Sequence, residues 1–141
     1  MPTFLFKTEP DDFSWDDLVR AGREPWNGVT NNSALMHLRE CRPADEVLIY
    51  HTGKERQIVG LARVVSDPYE DPEKPGLNAR GEPKFAVVDV EAVKPVKAPV
   101  TLAEIKADQR FADLWLVKHT RLSVMPVPTR MDKALRSMCG L

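Results

Sequence analysis

Every apolar run in this chain is short and closed by a turn former, which limits it to small sheets and brief helices. Residues 3–7, 46–51, 57–65, 85–93 and 122–127 read as strands. None approaches the ~20 apolar residues of a membrane span. Short helices interrupt them. Ser14 opens one, with Asp17 three residues on completing a near capping box, and Trp15, Leu18 and Val19 fall on its apolar face. Gly22 and Pro25 stop it. Asn31 or Asn32 caps a second helix that runs to about Glu40, with Ala34, Leu38 and Cys41 on one stripe. Thr101 and Glu104 form a capping box for a third, and Thr129 caps a last helix ended by Gly140. Strands and helices do not alternate regularly. The pattern predicts an α+β fold: a mixed, mainly antiparallel sheet curled into a small partial barrel with flanking short helices.

Gly60 lies inside the strand at 57–65, where it signals a bend or a close backbone approach. Residues 66–84 form the longest irregular stretch, with Pro68, Pro72, Pro75 and Pro83 plus Gly76 and Gly81. A loop of that length reads as a binding loop or flap.

The 141 residues suit one domain able to bury its own core. Lys and Arg total 20 against 21 Asp and Glu, a formal net charge of -1. That balance excludes a protein that coats nucleic acid through its global field; binding would use a local patch. Cys41 and Cys139 match no zinc spacing. They read as reduced thiols of a cytoplasmic protein with no leader, acting as a monomer away from membranes. His37 and Cys41 stand four apart on a helix, but two ligands are too few for a metal. No cofactor is expected.

The stretch Pro25-Trp26-Asn27-Gly28-Val29-Thr30-Asn31-Asn32 is the most suggestive of function. It places a large aromatic in what reads as a turn, beside amide donors and acceptors. A flat π-face with nearby amides suits a planar polar ligand such as a nucleobase. Trp15 and Trp115, among Leu and Val, read as core.

The order of motifs resembles the EVE domain family. It comprises Lys7-Thr8-Glu9-Pro10, Phe13-Ser14, Trp26 to Asn31, Tyr50-His51-Thr52, Ile58-Val59-Gly60, Tyr69-Glu70-Asp71, Val88-Asp89-Val90 and Arg121-Leu122-Ser123-Val124-Met125-Pro126-Val127. The resemblance runs from about residue 3 to 138. It implies a PUA-like fold and binding of modified DNA or RNA, the modified base held in an aromatic pocket. The related YTH domains share the opening plan: a strand ending in lysine, a helix, then a tryptophan that packs on the modified base. Trp26 occupies the matching place. The family commonly has arginines where this chain has Thr30 and Leu35, so two phosphate or scaffold contacts are replaced.

Candidate ligand contacts follow, each beside a plainer role. Trp26 is a stacking platform or a cover on the barrel end. Asn31 hydrogen-bonds a base edge or caps its helix. Tyr50 is pocket or core, while His51 and Thr52 read polar edges at a strand end. Lys7 and Thr8 form a pocket wall, or Lys7 pairs with Glu9. Arg121 contacts a phosphate or makes a structural ion pair, and Ser123 flanks it. The reading is a non-catalytic binder of a modified base. The rivals are an enzyme acting on a small modified nucleotide, for which no nucleophile or acid–base motif is visible, and an adaptor for protein partners.

Overall fold

The computed structural model describes residues 2–141. Strand β1 (Thr3–Thr8) leads into helix α1 (Trp15–Ala21), β2 (Arg23–Trp26) and α2 (Asn32–Glu40). A hairpin of β3 (Glu46–His51) and β4 (Gln57–Val64) follows, then the two-residue β5 (Tyr69–Glu70) and the long β6 (Ala86–Thr101). Helices α3 (Leu102–Ala107) and α4 (Trp115–Lys118), β7 (Val124–Val127) and α5 (Thr129–Cys139) complete the chain. The sheet order is β2-β6-β4-β3-β1-β7, with β5 on β6. Only β1–β3 is parallel; every other pairing is antiparallel. The α+β, mainly antiparallel reading holds.

The barrel does not. Edge strands β2 and β7 do not pair, so the sheet stays open. It is nonetheless strongly curled: the rings of Phe6 on β1 and Trp26 on β2 lie 5.4 Å apart. Bulges interrupt β4–β6 beside Gly60 and near Ala62, and a further shift lies between Ile49 and Tyr50 on β3. Such shifts bend and twist strands.

Sequence signals explain most boundaries. Ser14 and Asp17 form a true capping box on α1, and Gly22 closes it at φ 76°. Asn31 caps α2 by accepting from the Ala34 N–H at 3.0 Å. Gly60 carries the ring of Trp15: a Cβ there would lie 2.4 Å from the indole. This is the close approach that the sequence pattern suggested.

Other expectations need correction. Trp26 is not in a turn but ends β2. Val19 is exposed, because the short α1 buries only Trp15 and Leu18. Pro128, not Thr129, occupies the N-cap of α5. Trp115 is not core; it is 36% exposed. Leu35 is buried beneath α2, so its side chain is part of the core.

The apolar core runs from Phe4, Leu5 and Phe6 through Leu48 and Ile49 to Phe111, Leu114 and Leu135. Each such side chain contributes roughly 1.5–3 kcal/mol on full burial. A polar cluster fastens α5 to the first strand. Thr3 Oγ1 donates to Asp132 Oδ2 at 2.8 Å, and Arg136 bridges Asp132 and Glu46 at 2.8 and 2.9 Å.

Candidate nucleic-acid interface

The end of β1, the end of β2, the start of α2 and the residues before β7 converge on one pocket of about 510 Å³. Lys7, Thr8, Trp26, Asn31, Arg121 and Ser123 all line it. Pairing explains the convergence. The Lys7 N–H donates to the Ser123 carbonyl at 2.8 Å, so the segment before β7 continues alongside β1.

Trp26 forms part of the floor. Its ring packs against Phe6 and, edge-on at 6.1 Å, against Phe13. Only 8% of the residue is exposed, so it serves the core and the pocket together. Gly28, at φ 77°, turns the chain after it, a conformation glycine adopts without a Cβ penalty.

The rim is polar. Asn31 uses Oδ1 for its helix cap, which leaves its amide NH₂ available to donate. Thr8 Oγ1 donates to the Phe13 carbonyl at 2.6 Å and so holds the pocket wall in place. Lys7 does not pair with Glu9: its ammonium donates to the Thr120 carbonyl at 3.0 Å and lies 5.9 Å from the Tyr50 ring centre. Partial burial pulls its pKa below the usual lysine value. Arg121 is exposed and has no ion-pair partner among the described residues. Glu9, Asp12 and Glu24 line the same pocket and give it an acidic side.

Three predicted contacts fall elsewhere. Tyr50 and Thr52 line a smaller neighbouring cleft of about 310 Å³, reached also by Lys7. Burial raises the Tyr50 pKa. His51 is buried, and both its ring nitrogens have protein partners. Nε2 accepts from the Trp15 N–H at 3.0 Å, and Nδ1 lies 2.9 Å from Glu55 Oε1. The acceptor role of Nε2 puts the proton on Nδ1. His51 thus satisfies a free N–H at the start of α1.

The sequence reading missed a second cavity, of about 410 Å³, lined by His37, Trp115, His119 and Met36. It also includes Asn31 and Arg121, so it borders the first. His37 on α2 is buried, and neither ring nitrogen has a hydrogen-bond partner. The Glu40 carboxylate is 3.7 Å from Nδ1, too far for a hydrogen bond. Desolvation lowers the His37 pKa, partly opposed by Glu40. No group of metal-ligating residues occurs among the described residues.

The EVE domain model matches residues 3–138. The chain belongs to the EVE domain family. Thymocyte nuclear protein 1 of Rattus norvegicus is 29% identical over 152 residues, covering 88% of this chain and 67% of the relative. Among solved structures, a protein of Rhodopseudomonas palustris is 42% identical, with a TM-score of 0.88 over 99% of this chain and 94% of that one. Human THYN1, solved in complex with DNA containing 5-methylcytosine, is 28% identical, with a TM-score of 0.87 over 98% of this chain and 97% of that one. The YTH domain of Zygosaccharomyces rouxii MRB1, solved with N6-methyladenosine RNA, shares the fold at a TM-score of 0.59. That match is 14% identical and covers 97% of this chain and 85% of that one.

Proposed function

We propose that this EVE domain is a non-catalytic module that binds nucleic acid through a modified base held in the Trp26 pocket. The observation that carries the reading is the convergence of Trp26, Asn31 and an unpaired Arg121 on one cavity. An aromatic floor favours a planar group. The Asn31 amide can donate to a base acceptor, and Arg121 can meet a backbone phosphate. The cavity volume is in the range of small-molecule sites and large enough for one base.

The human relative solved with 5-methylcytosine DNA supports a modified base as ligand. A base must leave its stack to enter such a pocket, at a few kcal/mol, which favours modified, mismatched or unpaired positions. An exocyclic methyl adds dispersion contact against an apolar wall. A non-catalytic role is in keeping with the human relative, solved in complex with methylated DNA. We further read the protein as a cytoplasmic monomer, in keeping with two buried, unpaired cysteines.

The test is titration of the protein with short single-stranded DNA carrying one central 5-methylcytosine or plain cytosine. The expected result is tighter binding of the methylated strand, weakened in both Trp26→Leu and Arg121→Gln. Equal binding of both strands, or full binding by both variants, refutes the reading. Turnover of the modified nucleoside by pure protein would replace it with the enzyme reading.

A further inference from the structure

The second cavity lies against the Trp26 pocket and shares Asn31 and Arg121 with it. Its walls are aromatic. The Trp115 ring lies 5.1 Å from that of His37, tilted by 58°, and 5.3 Å from that of His119, nearly edge-on. Trp115 is 36% exposed and Met36 46% exposed. Single exposed apolar residues are ordinary. Here a tryptophan and a methionine face one concave space beside a charged arginine.

A second observation is independent of that surface. The His37 side chain is only 4% exposed, yet both its nitrogens lack a partner. Buried polar groups are nearly always hydrogen-bonded, and an exception calls for an explanation. His37 lines this cavity. His37 thus gives the cavity wall ring surface, with two buried nitrogens behind it that have no protein partner.

We propose that this cavity is a subsite for the nucleotide next to the modified base, whose own base stacks on Trp115. The inference rests on the modified-base reading of the Trp26 pocket. The shared rim supplies the geometry: Arg121 borders both cavities, where the phosphate linking two nucleotides held in them would pass. Stacking on an aromatic face tolerates any base, so the subsite adds affinity with little sequence preference. Both His37 nitrogens are shielded from solvent. The subsite turns a pocket for one base into a reader of a strand.

The experiment compares two probes by isothermal titration. One is 5-methyl-2'-deoxycytidine 5'-monophosphate. The other is a single-stranded DNA pentamer of thymidines with a central 5-methylcytosine. Trp115→Ala is expected to weaken the pentamer about 5- to 150-fold, the span of one lost stacking contact. It should leave the monophosphate unchanged, and Trp115→Phe should recover most of the loss. Trp26→Leu should weaken both probes. Thermal melting checks that each variant is folded.

If Trp115→Ala leaves the pentamer unchanged while Trp26→Leu weakens it, the subsite is wrong and the modified-base reading stands. If Trp115→Ala weakens both probes equally, the cavity holds the modified base itself and the flanking role fails. If the wild-type protein binds neither probe, the modified-base reading fails and the subsite falls with it.

Discussion

The rings of Phe6 and Trp26 meet at 5.4 Å although β3, β4 and β6 separate their strands in the sheet. The contact ties the curl of the sheet to the floor of the pocket. Trp26→Ala would therefore open a cavity as well as remove a stacking surface. We expect a stability loss of about 3–5 kcal/mol from truncating a buried tryptophan. Trp26→Leu keeps apolar volume and should lose less. Urea unfolding measures both, and an alanine variant as stable as wild type would show that the ring carries no packing.

Arg121 offers a cleaner test of phosphate contact, because it is exposed and has no ion pair among the described residues. Arg121→Gln should leave the melting temperature within a degree or two. It should reduce the slope of log affinity against log salt by about 0.7 for single-stranded DNA, the loss of one neutralised phosphate. An unchanged slope places Arg121 away from the backbone.

His37 predicts a pH dependence. Burial holds its folded pKa below 6.5, so the unfolded chain binds more protons in the window just beneath that value. Its contribution to stability is complete above pH 6.5 and falls as pH drops below it. His37→Phe removes this dependence and two unpartnered nitrogens. It should stabilise the fold by about 1 kcal/mol at pH 7 and flatten the wild-type decline below pH 6.5. Urea unfolding across that range provides the check; a variant with the wild-type pH slope would show that His37 does not titrate there.

Gly60 and Trp15 form a coupled pair. An added methyl at Gly60 would overlap the indole, so Gly60→Ala should destabilise by about 1–3 kcal/mol. In the background of Trp15→Leu the same change should cost much less. Additive losses in the double variant would disprove the coupling.

His51→Ala should leave the Trp15 N–H unpaired and weaken the fold by about 1–3 kcal/mol. Affinity for the methylated strand, measured where the variant is folded, should not change. A selective loss of binding would return His51 to the site.

Local signals in the sequence were reliable where the physics is local. The Ser14–Asp17 and Thr101–Glu104 boxes and the Asn31 cap are made by side chains bonding the backbone three residues away. The predicted strand at 85–93 ends eight residues short of β6, which runs on through Pro95 and Pro99. They are tolerated because β2 covers only the Arg23–Trp26 pairings, leaving that half of β6 without a neighbour on one side. Pro126 is similarly placed on the edge strand β7. The family motifs brought Lys7, Trp26, Asn31 and Arg121 to one place. They could not show that His51 serves α1, since that contact spans 36 residues. Nor could they reveal the His37–Trp115 cavity, whose rings meet only after α2 and α4 have packed near β7.

The pairing of β1 with both β3 and β7 has a consequence for how the protein is made. One wall of the pocket comes from the first strand and another from Arg121 and Ser123. A chain emerging from the ribosome holds Trp26 early but lacks the wall that completes the site until residues 121–127 are free to close on β1. Fragments ended by stalled translation would therefore carry the aromatic and not the pocket, and the ability to hold a base would mark a finished molecule.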